Sequence, residues 1–182
     1  MKPYTVALFV HLVGVVGLFV GYGLEWTSSS LLRRAKTADQ ARDWLGLYRL
    51  SLPLSGPGLL VLILSGSYLA SMSGAMRQGW ISASLLGILF ALGIGFVFIL
   101  PRTRALRLAL GESVGLLSAP IRALLQDPVL LTLVRVRLLL ALGIVYLMTV
   151  KTATFTGALG VLVVAAAAGV LCALASAYRP TA

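Results

Sequence analysis

One histidine and one glutamate stand where a hydrocarbon-rich sequence can least accommodate them. His11 interrupts the apolar run from Tyr4 to Gly23, and Glu25 follows at its end. A neutral imidazole roughly 10 Å inside a bilayer, at 1.5 Å per residue, can ligate haem or copper or relay a proton. Soft thioethers suit Cu(I), so His11 with Met72, Met76 or Met148 is a candidate metal set. A bis-histidine haem needs two histidines, and the chain has 1. A structural hydrogen bond is the plainer reading of His11. For Glu25, an ion pair with Arg49 or Arg102, which reach the same level, is expected, with a transport carboxylate as the alternative.

Other polar residues fall at the depth of His11. Ser67, Tyr68, Ser71 and Met72 come from a second apolar run, Ser82 and Ser84 from a third. Tyr146, Met148, Thr149 and Lys151 come from a fourth. They predict a shallow outward-facing polar pocket, with Tyr68, Tyr146 and Lys151 joining Glu25 as polar interior groups and the Lys151 ammonium snorkelling outward from the tip of its helix. The sequence holds no phosphate loop, nucleophile–base pair, paired carboxylates or metal-spaced His/Cys cluster. Hydrolytic chemistry lacks its residues, and no catalytic residue is assigned.

The elements that must position these groups follow from composition. Of the 182 residues, 59% are hydrophobic and 11% charged, against about 25% charged in soluble domains. Mean hydropathy is +1.01. A soluble sphere of this size could not hide so much apolar surface, which excludes a soluble enzyme, a disordered tail and a secreted disulfide scaffold. A single all-α transmembrane bundle remains. A spanning helix needs about 20 apolar residues, and five runs are expected at 4–23, 54–72, 80–100, 129–150 and 155–178. The fourth requires Arg135 and Arg137 to snorkel, and four spans are the fallback. In the second run, Ser55 is expected to cap the helix, with Pro57 in its first turn. The first run exceeds a signal-peptide core and lacks a small-x-small cleavage site, so it is expected to stay in the chain. Cys172 reads as a small buried hydrophobe.

The 15 Lys and Arg against 5 Asp and Glu, net +10, concentrate in two connections. Five spans put all of them on one side except Lys2, Arg77 and Lys151. The positive-inside rule makes that side cytoplasmic, with the N-terminus outside and the C-terminus inside a bacterial inner membrane. The segments Ser30–Ser51 and Arg102–Gln126, the latter broken at Gly111 and Pro120, read as amphipathic helices along the cytoplasmic interface, near anionic headgroups. In the first of them Leu31, Ala35, Ala38, Leu45 and Leu52 share a side opposite Asp39 and Asp43. Nucleic acid is not the expected partner of these charges.

Membrane helices pack through small residues. Gly14, Gly17 and Gly21 share about a 60° sector at 100° per residue, with His11 and Glu25 near it. Gly79, Ala83, Gly87, Ala91 and Gly95 form a second stripe at every fourth residue. Both helices are expected to be close-packed interior elements.

The segment FVHLVGVVGLFVGYG resembles the histidine-bearing first helix of domain-of-unknown-function family 2269, bacterial integral membrane proteins. GPGLLVLILSGSYL, GWISASL and PRTRAL resemble that family's second and third helices in order. LMTVKT is similar to its last helix end, with Thr152 where a proline is expected. Its anchors here are His11, Gly56, Gly66, Gly79, Trp80, Pro101 and Lys151. The resemblance implies a multi-helix bundle with no assigned activity. A looser likeness, to copper-resistance membrane domains and the membrane protoporphyrinogen oxidase group, implies a ligand role for the first-helix histidine. Three functions follow as expectations. They are a non-enzymatic assembly or interaction bundle, a haem- or copper-binding redox protein using His11, completed where needed by a homodimer, and a small transporter with a polar path from His11 to Glu25.

Overall fold

Helix formation over so much apolar sequence is dictated by backbone chemistry, because in hydrocarbon every N–H and C=O must be satisfied internally. A computed structural model describes residues 2–111 and 113–177. The protein is an all-α bundle. Among the described residues there is no strand, and the one β-type contact is an isolated bridge between Thr37 and Leu116. Five helical stretches are long and apolar enough to cross a membrane. Tyr178, expected to end the fifth, and Arg179 lie outside the described residues.

The first helix, α1 (Pro3–Leu32), begins with proline in its first turn, where the missing N–H is harmless, and runs one full segment past the apolar stretch. α2 (Ala38–Arg49) is capped by Thr37, whose hydroxyl accepts from the Gln40 amide at 3.3 Å. Asp39 in its first turn and Arg49 in its last complement the helix dipole. α3 (Ser51–Met72) starts earlier than the sequence suggests. Pro57 therefore sits inside the helix and leaves the Pro53 carbonyl without its i+4 donor, and Ser55 is a buried packing residue, not a cap. A 3₁₀ turn at Ala75–Arg77 leads to α4 (Gly79–Gly93). The third span continues through a π-helical turn at Ile94–Ile99 into α5 (Leu100–Gly111). The short α6 (Ala119–Leu125) precedes α7 (Pro128–Val150), which ends at Lys151 in a left-handed conformation (φ 49°), and α8 (Phe155–Ala177) completes the chain.

Packing divides the bundle into two parts joined by α7. α1 lies along α3, α7 lies along α8, and α4 packs on both α7 and α8. The parts meet where α1 packs on α7 and, at one end, where α2 packs on α5, while α3 and the third span scarcely meet. The core therefore centres on α7, with Leu130, Val134, Leu140, Ile144 and Leu147 all buried.

Both small-residue stripes are helix contacts, each with a different partner. A Cβ added at Gly14 would stand 2.9 Å from the Gly58 carbonyl oxygen, and one at Gly21 would stand 2.6 Å from Ser55 Cβ. Gly17 meets Leu54 and Gly58. In the other stripe, a Cβ at Gly79 would approach the Phe155 nitrogen to 2.7 Å, and Gly87 faces Leu162 and Ile144. Ala83 and Ala91 are buried beside them. Small side chains thus let backbones approach on α1–α3 and on α4–α8.

The two arginine-rich connections meet at one end of the bundle, where α2 packs on α1 and α5, and α5 on α6. The expected amphipathic helices are shorter than predicted. Ser30–Leu32 belongs to α1 and Arg102–Gly111 continues the third span. Ala38 and Leu45 point inward as expected, with Ala41 and Tyr48, whereas Leu52 is exposed on α3. Cys172 is exposed on α8, not buried, because α8 packs with one face only.

Candidate functional site

Glu25 lies about two turns before the end of α1 and is only 5% exposed. Its partner is Arg137, from the middle of α7, with Nη1 donating to Oε2 at 2.8 Å. The Ser51 hydroxyl donates to the other carboxylate oxygen at 3.2 Å. One carboxylate thus joins α1, α3 and α7. The guanidinium also lies 4.4 Å over the Tyr22 ring centre, a cation–π arrangement strengthened by desolvation. A Cβ at Gly95 would stand 3.2 Å from Arg137 Cζ, so the last residue of the second stripe, in the π turn, makes room for a charged group.

This corrects the expected pairing of Glu25. Arg102 is engaged elsewhere, its Nε donating to Asp127 at 3.1 Å, and Arg49 lines a cavity. Arg135 and Arg137 do not snorkel either. Both are buried: Arg137 finds the carboxylate and Arg135 lies 4.9 Å over the Trp26 ring. Arg137 thus pairs with a counterion, whereas Arg135 has the ring contact while its Nε and Nη1 lack hydrogen-bond partners.

Glu25 and Arg137 line a cavity of about 450 Å³ bounded by α1, the end of α2, α3, the end of α4, the π turn, α5 and α7. Apolar walls come from Leu59, Leu92 and Phe96, and the mouth carries Arg49, Arg104 and Arg107. Two buried polar atoms in its lining residues have no hydrogen-bond partner, the Tyr48 hydroxyl and Arg137 Nε.

His11 makes a separate, smaller site. Its Nδ1 is 3.1 Å from the Ser65 hydroxyl, which itself donates to the Val61 carbonyl. The ring and the hydroxyl thus join α1 to α3, with the direction of the bond set by the imidazole tautomer. Gly66 is what admits the ring, since a Cβ there would lie 3.0 Å from His11 Cε1. The candidate thioethers do not converge on it. Met72 and Met76 are exposed, and Met148 lines a small apolar void with Val15 and Phe19. No group of three His, Cys, Asp or Glu able to hold a metal occurs among the described residues.

In place of the expected outward polar pocket, Tyr68 and Ser65 line an open, largely apolar groove between α1 and α3. Tyr68 and Tyr146 lie on the outer surface, 43% and 50% exposed, and Lys151 is exposed at the α7 terminus. Of the four expected interior polar groups only Glu25 is buried. Sequence reasoning missed Arg137, Tyr22 and Tyr48. The available signal was an arginine in mid-span with a single carboxylate bordering the apolar runs at its level.

No family model matches the chain, and neither a curated protein nor a solved structure does.

Proposed function

We propose that the chain is a multi-pass protein of the bacterial inner membrane, N-terminus outside and C-terminus cytoplasmic, that acts by assembly or interaction and not by catalysis. The observation that carries this reading is the use made of the ionisable groups at membrane depth. Glu25 and Arg137 satisfy each other and bind three helices together. His11 satisfies Ser65 across the α1–α3 seam. Charges buried in a membrane are expensive unless paired, and here the pairing holds the bundle. The meeting of both arginine-rich connections at one end supports the charge-based orientation, with those connections against anionic headgroups.

The ordered resemblance to family 2269 agrees with this reading and rests on the quoted segments alone. A haem or copper role for His11 draws its support from the sequence likenesses only, since the ring's neighbours are Ser65 and Gly66. A transport path along the glycine face of α1 would have to part backbones in direct contact. The exposed apolar face of α8, with Val163, Val164 and Leu171, suits a second copy.

Native electrophoresis of the tagged full chain in mild detergent tests the proposal. The expected species exceeds one 19.2 kDa chain, persists in His11→Ala and shows no Soret band or bound copper. A monomer carrying stoichiometric haem or copper that His11→Ala loses would overturn it. Reporter fusions are expected to place residues 33–50 in the cytoplasm and 75–78 outside.

A further inference from the structure

The Glu25–Arg137 cavity is more open and more basic than a clamp between helices requires. Four arginines line it against one glutamate, and that glutamate is already paired with Arg137. Arg49, Arg104 and Arg107 form no ion pair among the described residues. They stand at the level of the arginine-rich end. Deeper in, the walls turn apolar, with Leu59, Leu92 and Phe96. A bulk-water cavity would not need such walls, and a free small anion would not use them.

The cavity is bounded by two elements that barely touch. It lies in the gap where α3 and the third span scarcely meet, and both contribute lining residues. On the third span that wall is the π-helical turn, a local widening that recurs at functional sites. On α3 it includes Gly56, where an added Cβ meets nothing within 4 Å. The cavity's inner lining supplies two buried groups lacking partners, the Tyr48 hydroxyl and Arg137 Nε, in residues 9% and 8% exposed. Orphaned buried donors cost free energy unless something satisfies them.

We infer that this cavity binds an anionic glycerophospholipid, entering sideways between α3 and the third span. The phosphate sits among Arg49, Arg104 and Arg107, and an acyl chain lies against Leu59 and Phe96. Arginine forks match phosphate oxygens two at a time, and the apolar wall selects a phosphate that carries a tail. The inference rests on the membrane-spanning reading, and goes beyond it by assigning a ligand class.

Native mass spectrometry on the full chain, extracted from membranes and titrated with phosphatidylglycerol, phosphatidylcholine or inorganic phosphate, tests it. Phosphatidylglycerol is expected to stay bound while phosphatidylcholine and phosphate do not. The double variant Arg104→Gln, Arg107→Gln is expected to weaken phosphatidylglycerol binding by roughly tenfold or more, the value of one lost charged hydrogen bond. Gly56→Phe, which fills the mouth from an unobstructed position, is expected to abolish retention with size-exclusion profile and helicity unchanged, so the test survives misfolding of the arginine variant. Equal retention of both lipids, retention unaffected by Gly56→Phe, or displacement by inorganic phosphate at comparable concentration would each overturn it. A failure of membrane insertion shows earlier, in the reporter fusions, and is distinguishable from a failure of lipid binding.

Discussion

The two halves of α1 solve opposite packing problems with the same neighbour. From His11 to Gly17 the helix is sealed onto α3, backbone against backbone, with one neutral hydrogen bond across the seam. From Tyr22 to Glu25 the same helix, still tied to α3 by the Ser51 hydroxyl, turns a second face to an ion pair and a cavity of about 450 Å³. Small residues set the first arrangement. The second is set by Arg137, whose guanidinium comes from a third helix and needs both a carboxylate and space. Close packing and buried charge therefore alternate along one helix, and the polar half is the half with room to bind.

The comparison can be broken most forcefully at the charged half. Glu25→Ala leaves Arg137 buried without a counterion and is expected to cost about 3–5 kcal/mol, measured by thermal unfolding in detergent. Adding Arg137→Leu should recover most of that loss, because removing both charges removes the desolvation penalty as well. In the sealed half, Gly14→Val would drive Cβ to 2.9 Å from the Gly58 carbonyl oxygen, an overpacking cost of about 1–3 kcal/mol visible in the same melt. His11→Phe removes one neutral hydrogen bond and should cost about 0.6 kcal/mol, the average for such bonds in membranes. A double-mutant cycle with Ser65→Ala checks that the loss belongs to this pair. The smallest effect is expected at the exposed pair Arg42–Asp39, 2.6 Å apart with Asp39 79% exposed. Asp39→Asn should change stability by about 0.2–0.5 kcal/mol and the change should vanish in high salt. A loss there as large as at Glu25 would erase the distinction between buried and surface charge on which the comparison stands.

Much of the architecture was legible because hydrocarbon length and small-residue spacing are one-dimensional signals. The apolar runs beginning at Tyr4, Trp80 and Phe155 announced helices, and Gly14 and Gly21 announced a close contact. Which helix each stripe meets was not legible, since partner choice depends on how the bundle closes in three dimensions. Arg137 shows the same limit at the site. Its position in an apolar run was visible, but the choice between reaching toward water and pairing with Glu25 depends on α1 and α7 being neighbours. Tyr48 was hidden for another reason, because it lies on a short interfacial helix whose inward face becomes clear only once α2 is seated on α1 and α5.

Arg42 touches the Leu110 carbonyl at 2.9 Å and the Ser113 carbonyl, while the Ala38 amide donates to Gly115 at 2.9 Å. These contacts rivet the first connection to the third. At the opposite end the 3₁₀ turn at Ala75–Arg77 joins α3 to α4 and packs on both. The two helices are therefore stapled at both ends, and the gap beside the cavity behaves as a slit between pinned edges and not as a sliding door.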